Sequence, residues 1–492
     1  MSFTKVSFVE PTSAVETPSN NKICIIGDGG TFSGVIDEVS TVNQLTDEGV
    51  GTATPLYKSV EYALECISSS DINVIAAGIP ETGETYNNVE WEESDDSGQY
   101  YTSYAPISSV SNAEILISQA QSGISGKTGW FDIVSGAHLS NDRIGYGLTG
   151  SISGFAFDSG GTIVRNYQPL AADKIRSTIA GAGAAVTFKT LLSDDYNFDF
   201  FAFAYDASQG ADRWDSANTV FGVSWLNDVQ KGASMCNQFR AAQKRTKFVC
   251  ALPDRAVLNS GMGRKYASGT TYSGTIFSQI RNVVGQNNAI ICGRSNKVDD
   301  SESDDCAIAL MISEMAYPAR SKIMYKQPAA GNYTQVNNPD SRELKLWNDA
   351  HVIPLGLMVG SDVQRWMGIK TFGSYNTNHS RCRDILGDRT VAALNSLVAT
   401  TQVGWNKKGM NTIRSTILQT QRNLVNEGII DSVGSVTIPI ETAVIAVEEG
   451  TANASQTASV SAAKDSGVLT SVESTYGWDG DIYGIQLTFS VA

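Results

Sequence analysis

Residues 22–34 read KICIIGDGGTFSG, and the use this chain makes of those glycines decides its fold. Ile23, Cys24, Ile25 and Ile26 are apolar at every position, which predicts a strand buried on both faces of a parallel sheet. Gly27, Gly29, Gly30 and Gly34 then break the run. A dinucleotide loop needs G-x-G-x-x-G opening into a helix, and Phe32 stands where its third glycine belongs. The segment after it, GVIDEVSTV, is β-branched with no helical period, and no Lys-Ser or Lys-Thr completes a phosphate loop. Asp47 lies downstream at the distance of a ribose-binding acid, but without the helix it completes no motif. The glycines therefore read as a turn leaving a buried strand.

Working outward, Thr54-Pro55 supplies an N-cap and a first-turn proline for a helix carrying Leu56, Val60, Leu64 and Ile67 on one face. After SSSD comes a second strand, INVIAAG. The same alternation returns later. FDFFAFAY (198–205), KFVCAL (247–252) and AIICG (289–293) read as strands. A helical stretch at 218–244, another carrying Ile276, Phe277, Ile280, Val283 and Val284, and the apolar CAIALMISEMA (306–316) lie between and after them. Strand–helix alternation argues a parallel sheet covered on both faces. Between the two regions, residues 81–195 are short, glycine-bounded and β-rich, as expected of an inserted β domain. Farther on, HVIPLGLMVG (351–360) and QRWMGIKTFG (364–373) precede two helices. The first is expected from a cap near Asp388; the second carries Ile413, Ile417, Leu424 and Val425 and stops at Gly428. SVGSVTIPIE reads as a strand, and TANASQTASVSAAKDSG (451–467) as a low-complexity loop.

The fold class is thus α/β, or multi-domain α+β. The expected division is an arm at 1–20, a first core segment at 21–80, the β insertion at 81–195, an α/β middle domain at 196–345, a C-terminal core domain at 346–480 and a terminal strand at 481–492.

The chain of 492 residues carries a formal net charge of −15, which argues against nucleic acid or an anionic membrane as partner. No apolar run is long enough to span a bilayer, and the start, MSFTKVSFVEPTSAVETPSN, lacks a basic region followed by an apolar one. The expectation is folding in a cytoplasm without a membrane span. Residues 81–96 hold seven carboxylates, which read as an exposed loop.

Chemistry is sparse. The three histidines, His138, His351 and His379, fall in unrelated contexts, and no G-x-S-x-G, H-E-x-x-H or S-x-x-K pattern occurs. Asp206-Ala207-Ser208-Gln209-Gly210 approaches the metal loop of adhesion domains, with Gly210 replacing its second serine. Asp206 and Asp254 would be the residues to hold an ion if this were an α/β metal-dependent adhesion or binding domain. The expectation is no enzyme, no cofactor and no metal. Seven cysteines stand at 24, 66, 236, 250, 292, 306 and 382, without a C-x-x-C pair. Cys306 and Cys382 sit among charged neighbours (SDDCA, SRCRD); they are either reduced thiols or accessible thiols able to bond another chain.

Both ends are strand-like. Phe3, Val6 and Phe8 alternate loosely, and Ile485, Leu487, Phe489 and Val491 alternate strictly with polar residues. Such a strand either edges its own domain or joins a sheet on another chain.

The order of these features resembles a contractile-tail sheath protein of long-tailed phages and related injection machines. The resemblance is carried by the arm leading into KICIIGDGG, by NQLTDEGVGTATPLYKSVEYAL with INVIAAGIP, and by DDCAIALMISEMAYPARSKIMYKQPA. It continues through ELKLWNDAHVIPLGLMVGSDVQRWMGIKTFG, Arg383-Asp384, two helices and the terminal strand. The chain departs from the commoner pattern at Met367 and at Ser380-Arg381, and the β insertion is unmatched. The resemblance implies a subtilisin-like middle domain without a catalytic triad. It also implies polymerisation in stacked sixfold rings around a tail tube, in a virion tail assembled in the host cytoplasm. Its partners would be further copies of itself, the tube protein, and baseplate and terminator proteins. The N-terminal residues Phe3, Val6 and Phe8 and the C-terminal residues Ile485, Leu487, Phe489 and Val491 would be arms exchanged between copies. A tail-tube or other virion structural protein is the alternative that shares the acidity and the β insertion, although it should lack the α/β middle.

Overall fold

The computed structural model describes residues 21–67, 72–80, 85–93, 99–101, 107–117, 129–132, 138–139, 145–146, 155–157, 162–165, 174–181, 183–194, 196–204, 223–242, 244–252, 287–294, 305–324, 326–327, 351–357, 364–373, 375–467, 469 and 472–478. The chain divides into two compact units, with the boundary between Ser380 and Arg381.

The first unit opens with β1 (Lys22–Gly27), β2 (Val35–Val39), α1 (Val42–Asp47), α2 (Pro55–Ile67) and β3 (Asn73–Gly78). The insertion follows as β4 (Thr85–Glu93), β5 (Gln99–Tyr101), β6 (Ile107–Ile117), β7 (Gly129–Asp132), β8 (His138–Leu139), β9 (Gly145–Tyr146), β10 (Phe155–Phe157), β11 (Thr162–Arg165) and β12 (Lys174–Gly181). Among the described residues these strands form one antiparallel sheet in the order β10-β11-β5-β4-β12-β6-β7-β8-β9. The chain then returns through α3 (Gly183–Ser193), β13 (Phe200–Phe203), α4 (Val223–Ala241), β14 (Lys247–Leu252), β15 (Ile290–Arg294), α5 (Asp305–Met315), β16 (Val352–Leu357) and β17 (Gln364–Trp366).

The main sheet runs β17-β16-β15-β14-β13-β1-β3-β2, parallel from β16 to β3 with an antiparallel strand at each edge. This corrects the division expected from sequence. Segments 21–80 and 196–345 are one domain, and β16 and β17, assigned to the C-terminal core, belong to it too. The reason is β1: Ile23 to Ile26 are fully buried, so the strand needs neighbours on both sides. It finds β3 on one side and, across the whole insertion, β13 on the other. The helix expected around 276–284 lies outside the described residues.

Alternation in FDFFAFAY sends Phe201 and Phe203 into a cluster with Phe188 on α3, Phe239 on α4 and Phe248 on β14. Ring centroids there stand 5.1–6.2 Å apart, tilted or edge-to-face. On the opposite face α2 and α5 pack against the sheet and each other. Helix α5 is buried almost throughout, as its all-round apolar sequence predicts.

The opening glycine loop sits where β1 changes neighbours, the crevice in which open α/β sheets hold ligands. Here the chain fills it. A Cβ on Gly27 would come 2.5 Å from the Ala204 Cβ, and one on Gly78 would strike the Phe32 carbonyl. Gly30 has φ 76° and donates its N–H to Asp28 Oδ1 at 2.7 Å, an Asx-type turn. The first N–H groups of α2 are also taken: Leu56 N bonds the Asp28 carbonyl at 3.1 Å and Tyr57 N the Thr54 hydroxyl at 3.3 Å.

The second unit contains most of α6 (Thr377–Thr400), then α7 (Lys407–Asn426), β18 (Ser432–Thr437), α8 (Glu441–Glu448), α9 (Ala454–Ser466) and β19 (Glu473–Gly477). Its core joins Leu394, Met410, Ile413, Ile417, Val436, Val444, Val460 and Leu469. Two expectations are corrected. Helix α6 starts at Thr377, well before Asp388. Its first turn is polar in sequence yet buried, because Asn378 Nδ2 donates to the Arg320 carbonyl at 3.2 Å and Ser380 Oγ to the Asn288 carbonyl at 2.8 Å. The low-complexity stretch 451–467 is helix α9, not a loop. Asn453 and Gln456 form a reciprocal capping box, and Gly467 closes the helix at φ 66°.

Replacing Gly27 with Val places a branched side chain against Ala204, and should lower stability by about 1–3 kcal/mol in urea melts.

Candidate assembly surface

The terminal residues singled out in the sequence, Phe3, Val6, Phe8, Ile485, Leu487, Phe489 and Val491, lie outside the described residues. What the structure defines is the set of sheet edges an added strand could meet. The main sheet and the two-stranded sheet of the second unit treat their edges differently.

In the second unit β18 and β19 pair with each other in a two-stranded antiparallel sheet, so among the described residues each has one strand neighbour. A two-stranded sheet is marginal alone; here α7 supports it from one face. The apolar stripe Ile413, Ile417, Leu424 is interrupted by Gln421, which is fully buried. Its amide oxygen accepts from Gly434 N at 2.8 Å, and its nitrogen donates to the Thr475 carbonyl at 2.8 Å and to Ser474 Oγ at 2.7 Å. That side chain anchors a bulge, because β18 takes three steps from Val433 to Val436 while β19 takes two from Tyr476 to Ser474. Gly434 is required there, since a Cβ would strike the Thr475 carbonyl. Arg414 of α7 pairs with Glu441 of α8, fixing the helix beside the hairpin; that hydrogen bond, ahead of an opposing cost of burial, raises the guanidinium's already high pKa. Along its exposed side α7 carries Lys407, Lys408 and Arg422, with no carboxylate anywhere in the helix.

The main sheet closes its edges. At β17 the outward Trp366 N–H donates to the Lys326 carbonyl at 2.9 Å, so a neighbouring segment covers that strand. At β2 the register slips between Ile36 and Val39, and Glu38 adopts φ 58°. The Lys22 ammonium lies 3.0 Å from Asp37 and 3.0 Å from Glu38. Burial alone would lower its pKa, but hydrogen bonds and charge from Glu38 and Asp37 outweigh that and raise it.

The residues with chemical potential are scattered. His351 bonds the Thr371 carbonyl through Nδ1 at 2.8 Å, and His379 stacks on Tyr375 with centroids 4.4 Å apart. His138 begins β8 in the insertion. Asp206 and Asp254 lie outside the described residues. Among the described residues no three His, Cys, Asp or Glu side chains are grouped as metal ligands, and no helix is long and apolar enough to cross a membrane. Lys247, buried at the start of β14, donates to Ser380 Oγ at 2.8 Å and so ties the sheet to the first turn of α6.

The accessibility expected of Cys306 and Cys382 is corrected: both are buried, and neither is in a disulfide. Charged neighbours misled because a helix sorts residues by period, not adjacency. Cys306 and Leu310 lie one turn apart on the face of α5 against Gly293. Cys382 shares its face of α6 with buried Leu386.

Sequence reasoning did not find Gln421 or Lys247, though each left a trace. Gln421 is one polar residue in a buried stripe, and Lys247 opens an otherwise apolar strand.

No family model matches this chain, and no curated protein does. Solved structures do. A sheath tail protein from Listeria innocua aligns over 85% of this chain and 88% of its own, at 11% identity and a TM-score of 0.40. A chain of the anti-feeding prophage baseplate aligns over 55% of this chain and 75% of its own, at 10% identity and a TM-score of 0.35.

Gln421→Leu strands the Gly434 N–H and the Thr475 carbonyl, and should cost about 1–3 kcal/mol in thermal or urea melts. Cys306 and Cys382 should resist a thiol-specific reagent in the native protein and react once urea unfolds it; rapid labelling of either in native buffer would contradict their burial.

Proposed function

We propose that this chain is the structural subunit of a contractile tail sheath, polymerising helically around a tail tube and contracting to drive that tube through a host envelope. The observation that carries this reading is a match of kind. The sequence has two strand-patterned ends, and the β18–β19 hairpin has two edges without a strand neighbour among the described residues. Strands to give and edges to receive make a head-to-tail contact that repeats without closing. The ordered resemblance from KICIIGDGG to the terminal strand supports the same reading.

Main-chain hydrogen bonds would supply the joint, each contributing about 0.5–1.5 kcal/mol. One added strand is thus modest in energy, while a polymer of them is cooperative and stays connected as subunits shift. Contraction then draws on a difference in packing between two arrangements of the same subunits, with no catalytic group and no nucleotide. The basic face of α7 suits contact between copies of a chain that is acidic overall. Further copies, tube protein, baseplate and terminator are the partners, in a virion tail assembled in the host cytoplasm.

Electron microscopy of purified full-length chain should show tubular polymers, lost when residues 1–15 or 480–492 are removed. A full-length chain that stays monomeric and is unchanged by trimming would overturn the reading.

A further inference from the structure

We propose that β2 is a guarded edge: Lys22, Asp37, Glu38 and the bulge at Glu38 together refuse strand addition there and so keep exchanged strands off this side of the main sheet. The inference rests on the reading that copies exchange strands, because only then must a free edge choose among extended segments.

Three observations converge on β2. It is the last strand of its sheet, with β3 on one side and no strand on the other among the described residues. The opposite edge, β17, is covered by the Lys326 carbonyl, whereas among the described residues no such carbonyl is bonded along β2. Its own residues are the ones that defeat pairing. An incoming strand must come within about 4.8 Å, which would press its backbone against the Asp37 and Glu38 carboxylates and strip their water. The ammonium of Lys22 reaches over from the start of β1, beyond β3, to bond both carboxylates, with Lys22 Nζ 3.0–3.1 Å from the two oxygens of Asp37. This holds both carboxylates on the sheet face beside the edge, with one negative charge in excess over the ammonium.

The backbone adds to this. Glu38 holds φ 58°, a conformation left chiefly to Gly, Asn and Asp. It breaks the register opposite β3 and turns the outward N–H and C=O row out of line. Charge and bulges are among the devices that keep natural sheet edges from templating another chain. The hairpin offers the contrast. Its bulge is bonded inward to Gln421, and its exposed side chains are mostly Ser and Thr with one carboxylate, Glu473.

The test uses full-length protein carrying Lys22→Thr, Asp37→Thr and Glu38→Thr, beside a charge-reversed control, Lys22→Glu, Asp37→Lys and Glu38→Lys. The neutral variant should scatter light at least tenfold more than the parent at equal concentration. Its amides at 35–39 should exchange at least tenfold more slowly as it associates; the reversed control should behave as the parent. Should the neutral variant melt early, Lys22→Thr and Asp37→Thr with Glu38→Gly carries the test, since glycine relieves the left-handed backbone. A folded neutral variant with the parent's scattering and the parent's exchange at 35–39 would overturn the guard. The readout is Val35–Val39 and not the hairpin, so this proposal and the reading it rests on fail separately.

Discussion

Along a β-strand successive residues present their N–H and C=O groups to alternate sides, and each side must be paired, covered or defended. That constraint organises this molecule. β1 is apolar on both faces and paired on both sides, and it forces the chain to return after a nine-stranded insertion to lay β13 beside it. At the margins the same rule has three answers: a carbonyl laid over β17, charge and a bulge on β2, and a hairpin whose outer sides have no strand neighbour among the described residues.

The loop KICIIGDGGTFSG shows the rule at the carboxyl ends of strands. Its glycines bring the chain back over its own sheet, so that Ala204 and Phe32 occupy the crevice and Asp28 and Thr54 take the first N–H groups of α2. A glycine-rich turn after a buried strand is shared by nucleotide sites and by tight packing. What separates them is the next element, and here that element is a strand.

Much of the first unit was legible because its strands are short apolar runs and its helices periodic. KFVCAL is β14 from end to end, and FDFFAFAY alternates as its ring cluster requires. The domain division was not legible, because which strands become neighbours is a long-range choice that no local pattern encodes. The polar first turn of α6 and the Ser- and Ala-rich α9 were misread for a different reason. Their helicity rests on caps and on side chains bonded to distant carbonyls, and such bonds leave no hydrophobic period to detect. One strand of the hairpin, β18, was visible as SVGSVTIPIE, but its partner β19 and its anchor, Gln421, needed coordinates to assign.

The central claim is that β18 and β19 receive strands from other copies. Amide hydrogen exchange on assembled against dissociated protein tests it most directly. Strand addition predicts that amides within Ser432–Thr437 and Glu473–Gly477, together with those of 485–491, become strongly protected on assembly. Unchanged exchange in both strands of the hairpin across a polymerisation that plainly occurs would contradict it.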